Sequence, residues 1–178
     1  MTNKLKMAND KWKIQNGFTL VELLVVICII GIMASIGLVA FSSAQARSRD
    51  AQRKSDLKEV SGALELFYSD YGRYPDSSGG EIQACSYDPV SRTGAACTWG
   101  TGTFTDGRTT YFKVLPKDKS NAQTYFYRSV TVDSVANSGF QIYARLENSQ
   151  DSSIISTAVP CGEELDCNFA VTSSNTTP

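Results

Sequence analysis

The sequence predicts an α+β fold, a long N-terminal helix whose distal half packs on a small C-terminal antiparallel β-sheet. Three observations carry that prediction. Residues 18–41 form an apolar run with a single charge, Glu22. Residues 42–71 contain no proline and repeat apolar side chains at steps of three and four. Beyond Pro75 the helical period stops, and aromatic, β-branched and alternating stretches take over.

The 178 residues suffice for one compact domain with extensions. The pattern divides them into a basic leader (1–17), a transmembrane-length apolar helix (18–41), its amphipathic continuation (42–72) and a loop-rich β-sheet head (73–178). The apolar run would span roughly 36 Å as a helix, enough for a bilayer core. In the continuation, Leu57, Val60, Leu64, Phe67 and Tyr71 form one apolar stripe. Arg53, Lys54, Lys58, Glu59 and Glu65 mostly fall off it. Gly72 and Pro75 supply the stop.

Residues 76–110 are rich in Ser, Gly, Thr and Asp and read as a long loop. Tyr125–Val132 reads as a strand. So does the segment in which Phe140, Ile142, Ala144 and Leu146 face inward and Gln141, Tyr143, Arg145 and Glu147 face outward. Asn137-Ser138-Gly139 is the expected turn between them. Ile154–Val159 and Phe169–Thr172 are weaker strand signals, and the tail from Ser173 reads as frayed.

Composition narrows the function. The chain has no histidine, which removes a Ser-His-Asp triad, a Cys-His pair and every imidazole-dependent zinc site. Phosphate-loop and calcium-loop signatures are missing as well, so no enzyme activity and no catalytic residue is expected. The net charge of −1 hides Lys4, Lys6, Lys11 and Lys13 in the leader, against Asp10 alone. From Arg73 onward eleven acids face eight bases, so a nucleic-acid partner is not expected. Trp99, Phe104, Tyr111 and Phe112 read as core packing rather than a base-stacking patch. Arg92, Arg108, Lys113, Lys117 and Lys119 are scattered like a solvated face.

Cys28 lies in the apolar run and reads as a small hydrophobe. Cys85 with Cys97, and Cys161 with Cys167, are close-spaced pairs in loop-like sequence. They point to two local disulfides and an oxidising compartment, against the alternative of four free thiols.

The deciding constellation is the Lys-rich leader followed by Gly17-Phe18-Thr19-Leu20-Val21-Glu22 and unbroken hydrophobicity. It resembles the precursors of type IV pilins and type II secretion pseudopilins over about residues 11–75. The resemblance implies a pilin-like fold, cleavage after Gly17 by a prepilin peptidase and N-methylation of the new terminus at Phe18. It also implies a structural subunit that waits in the inner membrane and then polymerises with copies of itself, served by an assembly platform and ATPase. Pilus subunit is the first reading. A pseudopilin of a secretion or competence machine is the alternative, and a membrane-anchored or secreted binding protein the third.

A carboxylate inside an apolar helix costs about 2.5–3.5 kcal/mol near a bilayer centre, and the Phe18 ammonium is its natural partner. The family reading places that pair between subunits, where it sets axial register. The basic flanks do not orient the segment, because Arg47, Arg49, Arg53 and Lys54 match the leader lysines. The expected disulfides put the C-terminus outside. A secretory signal cut after Ala44-Gln45-Ala46, releasing a chain that starts at Arg47, is the competing interpretation.

Tyr71-Gly72-Arg73-Tyr74-Pro75 resembles the helix-to-loop junction of major pseudopilins. Those proteins bind calcium in the head, with Asp151, Glu163, Glu164 and Asp166 as candidate oxygen ligands here. The plainer reading is a solvated acidic loop with no cofactor.

Overall fold

The computed structural model describes residues 17–162 and 165–178. The leader before Gly17, together with Glu163 and Glu164, lies outside the described residues. The chain divides into two compact units, Met1–Ser42 and Ser43–Pro178.

Helix α1 runs Leu20–Tyr71, beginning in the first unit and ending in the second. It ends as Gly72 takes a φ of +67°, its N–H donating to the Tyr68 carbonyl at 2.7 Å. A side chain is strained in that conformation, and Pro75 then keeps the chain from turning back into a helix. In the second unit Leu57, Val60, Leu64 and Phe67 are buried and Tyr71 is half-buried, so the predicted stripe is the core face.

Two sheets complete that core. The first holds β1 (Asp76–Ser78), β2 (Glu81–Asp88), β3 (Thr93–Cys97), β4 (Phe104–Thr105) and β5 (Thr110–Phe112). Strand β2 pairs antiparallel with β1 and β3 and meets β4 at one parallel position, Cys85 with Thr105. The second is an antiparallel sheet of β6 (Phe126–Val132), β7 (Val135–Ala144) and β8 (Phe169–Thr172).

The structure corrects the sequence reading in several places. Residues 76–110 are not a long loop but carry β1 to β4 and the first residue of β5. In β2 the alternation of buried Ile82 and Ala84 breaks at Ser86, which takes a φ of +56°, before Tyr87 is buried. A strand that irregular leaves no period-2 signature. The β6–β7 turn is formed by Asp133 and Ser134, both at positive φ, with Val132 opposite Val135. Asn137 instead sits inside β7 at φ +55°, in the register irregularity opposite Val130–Val132. Asn tolerates that conformation in a bulge as readily as in a turn, and the sequence does not distinguish them.

Ile154–Val159 forms no strand, since only the isolated bridge Pro160–Asp166 follows it. Tyr143 does not face solvent. It is 3% exposed beneath Val159, Cys161 and Cys167, which cover the outer face of the second sheet. Nor is the tail frayed. Ser173 donates its N–H to the Phe140 carbonyl at 3.1 Å, and Asn175 Nδ2 donates to the Ser138 carbonyl at 3.0 Å. Both cysteine pairs are joined as disulfides, Cys85–Cys97 and Cys161–Cys167.

The largest departure is Arg53. It is 2% exposed, with Nε and Nη2 donating to the two oxygens of Asp118 at 2.6 and 2.9 Å. Its Nη1 donates to Asp50 at 2.8 Å and lies 2.8 Å from Glu147 Oε1. Burial alone would lower its pKa, but the surrounding carboxylates hold it above the ordinary arginine value. Asp50 also accepts the backbone N–H groups of Glu147 and Asn148 at 2.9 and 2.8 Å. A buried guanidinium is tolerated because its donors and the facing acceptors are matched. Phe104 and Tyr111 are buried, and Trp99 and Phe112 pack against the same core, in keeping with the packing reading.

Candidate functional site

The start of α1 is built by its first residues. Thr19 is the N-cap: its hydroxyl accepts the Glu22 N–H at 3.2 Å, and its carbonyl accepts the Leu23 N–H at 3.2 Å. Glu22 Oε2 reaches back to accept the Thr19 N–H at 2.9 Å and the Thr19 hydroxyl at 2.8 Å. This is a capping box, in which two otherwise orphaned backbone donors are satisfied reciprocally. The sequence reading gave Thr19 no capping role, although the T-x-x-E spacing signals one.

Glu22 Oε1 has no bonding partner among the described residues. Phe18, one residue before the cap, is 85% exposed. A Cβ built on Gly17 would meet nothing within 4 Å, so the peptide between Gly17 and Phe18 is uncrowded on that side. Beyond the cap Val21, Leu24, Ile27 and Ile30 are all exposed, as is the free thiol of Cys28. The helix is long and apolar enough to cross a membrane, and its most apolar window is uncovered.

Of the candidate calcium ligands, Asp151 is engaged instead by Lys54 Nζ at 2.7 and 2.8 Å. That ammonium and the Ser153 hydroxyl and N–H hold its carboxyl well below the usual range. Asp166 is exposed, and no group of three or more potential metal ligands occurs among the described residues.

A family model described as the prokaryotic N-terminal methylation motif matches residues 12–38. This chain carries the N-terminal methylation motif. The motif-bearing segment is 45% identical over 60 residues to the type IV major pilin protein PilA of Myxococcus xanthus (strain DK1622). That match covers 34% of this chain and 27% of the relative. Fimbrial protein EcpC of Eikenella corrodens is 43% identical over 63 residues, 35% of this chain and 41% of its own. Type II secretion system core protein G of Klebsiella pneumoniae is 35% identical over 81 residues, 44% of this chain and 58% of that protein. The chain thus spans less than two thirds of the length of each of these relatives. No solved structure matches it. The resemblance to pilins and pseudopilins carried by Gly17–Glu22 holds for the N-terminal methylation segment.

Proposed function

We propose that this chain is the precursor of a structural filament subunit, cleaved after Gly17 and polymerised through residues 18–41. The observation that supports this most directly is the motif's position. Its one carboxylate stands at the start of an uncovered apolar helix, one turn from the bond to be cut. Cleavage would turn the Phe18 nitrogen into an ammonium, N-methylated by the prepilin peptidase. Glu22 Oε2 stays with Thr19, and Oε1 would accept the Phe18 ammonium of a neighbouring copy. Each added subunit would then be placed in axial register by one ion pair in a low-dielectric bundle.

Before assembly the subunit would wait in the inner membrane with its C-terminus outside, where both disulfides are stable. The peptidase, an assembly platform and its ATPase are the partners this reading requires. The match to core protein G is the longest of the three reported, at 81 residues, which supports a secretion pseudopilus as the second reading. Imaging filaments, and identifying this chain in them by mass spectrometry, separates the two by the machinery required.

The processing step is tested by N-terminal peptide mass spectrometry of the membrane-extracted protein. A mature N-terminus at methylated Phe18 is expected. A start at Arg47 would overturn the proposal in favour of secretory cleavage.

A further inference from the structure

The sequence contains a single Asp–Pro bond, Asp88–Pro89, and it lies on the exposed turn between β2 and β3. That turn holds the Asp88 carboxylate. Oδ1 accepts the Val90 N–H at 2.9 Å, and Oδ2 accepts the Ser91 hydroxyl at 2.7 Å and the Ser91 N–H at 3.3 Å. The ring of atoms closed by the Oδ1 bond runs through the Asp88–Pro89 peptide, so the carboxylate is folded back along that bond. The flanks are fixed as well. Tyr87 is buried, its ring centroid 4.8 Å from that of Phe67 and 5.0 Å from that of Tyr71, and Asp88 pairs with Thr93 across the hairpin.

Proline changes what this carboxylate can do. The common side reaction of aspartate, attack of the next residue's nitrogen on the side-chain carbonyl, needs an N–H, and Pro89 has none. What remains is attack by a carboxylate oxygen on the Asp88 main-chain carbonyl carbon. The C–N bond to Pro89 then breaks, and the proline nitrogen leaves with a proton taken from acidic solvent. A cyclic anhydride is left at Asp88, and one water opens it to a side-chain and a terminal carboxyl group. The net change is hydrolysis of one peptide bond.

The step needs an ionised carboxylate in a medium acidic enough to protonate the leaving nitrogen. The Ser91 hydroxyl, with the N–H groups of Val90 and Ser91, holds the Asp88 carboxyl below the ordinary aspartate value. The nucleophile therefore stays ionised further into acid. Its bonds come from these neutral donors; the charged groups nearby are Arg92 in the same turn and Arg73 and Asp76 beside Tyr87.

We propose that Asp88–Pro89 is a self-cleavage site, cut in acid by the turn-held Asp88 carboxylate, and that Cys85–Cys97 keeps the cut head joined. The broken bond falls between those two cysteines, so the bridge spans it.

The test holds the full detergent-solubilised chain at about pH 4 and at neutral pH. Gels run with and without reductant, and mass spectrometry of the new termini, read the outcome. A terminus at Pro89 should appear in acid alone, as two fragments with reductant and one band without. Asp88→Asn should abolish the cut, and because Asp88 is exposed the fold should stay intact. Ser91→Ala should slow it about fivefold, the factor carried by one ordinary hydrogen bond. Ser152→Ala, at an exposed serine elsewhere, should change nothing. The chain unfolded in urea at the same pH should be cut more slowly than the folded one. Equal rates folded and unfolded, or an unchanged rate in Ser91→Ala, would overturn the role of the turn. No Pro89 terminus, or a cut that persists in Asp88→Asn, would overturn the site, and fragments that separate without reductant would overturn the role of the bridge. None of these readouts depends on cleavage at Gly17 or on polymerisation.

Discussion

Glu22 bonds Thr19 twice through one oxygen and leaves the other without a partner. Replacing it with Val removes a term of about 2.5–3.5 kcal/mol that opposes insertion, so the variant should insert and be cleaved normally. Assembly should fail, because each Phe18 ammonium would lose its counter-charge at a cost of about 3–5 kcal/mol per contact. Glu22→Asp should fall between the two, keeping the charge with shorter reach. Thr19→Val separates capping from pairing. It abolishes the box but keeps the carboxylate, so its filament yield should exceed that of Glu22→Val. The measurement is sheared-filament yield relative to processed, membrane-embedded subunit. A normal yield from Glu22→Val would eliminate the ion pair as the driver of assembly.

Among the elements, β2 and β3 are irregular strands cross-linked from Cys85, midway along β2, to Cys97 at the end of β3, with Cα atoms 5.1 Å apart. The C-terminal loop is joined by Cys161–Cys167, which with Val159 covers Tyr143. Non-reducing peptide mapping should recover those two pairs and leave Cys28 alkylatable. Four alkylatable head cysteines would contradict them. Changing both Cys161 and Cys167 to Ser should cost roughly 2–3 kcal/mol by loop closure and open the 154–168 segment to protease, while the β6–β7 hairpin survives. The elements that the sequence left unread share one cause. Bulged strands such as β2 have too few regular alternations to stand out from Ser- and Gly-rich loop. The Asp133-Ser134 turn competes with an equally plausible Asn-Ser-Gly triplet three residues later.

Across the second unit, carboxylates hold distant segments together. Glu147, after β7, bonds Arg49 and Arg53 of α1, and those two guanidiniums lower its pKa to about 2 from an ordinary 4.5. Asp106 would be raised by burial, but the hydroxyls of Tyr71 and Tyr111 and the N–H groups of Thr109 and Arg108 bring it down to about 2. Acids with a lowered folded pKa contribute stability in full above their unfolded values. They lose it as pH falls through the folded value. Thermal unfolding of the second unit, followed in the full detergent-solubilised chain, should therefore be flat from neutral pH to about 4.5 and fall steeply toward about 2. Glu147→Gln should lower the plateau and flatten that fall. An unchanged acid slope would show that the Glu147 bridges do not couple α1 to the sheet.

What the sequence by itself determined is whatever neighbouring residues encode. The apolar run, the core stripe of α1, the Gly72 stop and the Gly17–Glu22 motif all depend on contacts within a turn or two of helix. Their periodicity survives in the linear order of residues. The capping box is encoded just as locally, its two members three residues apart, but it went unread. Only the tertiary structure decided that Arg53 is buried, since its partner Asp118 is 65 residues away and nothing local marks the match. It alone decided that Lys54 occupies Asp151, 97 residues distant. A charged residue on a helix reads as solvated until the fold brings an opposite charge to it. That encounter depends on how loops far apart in the chain close over the same helix face.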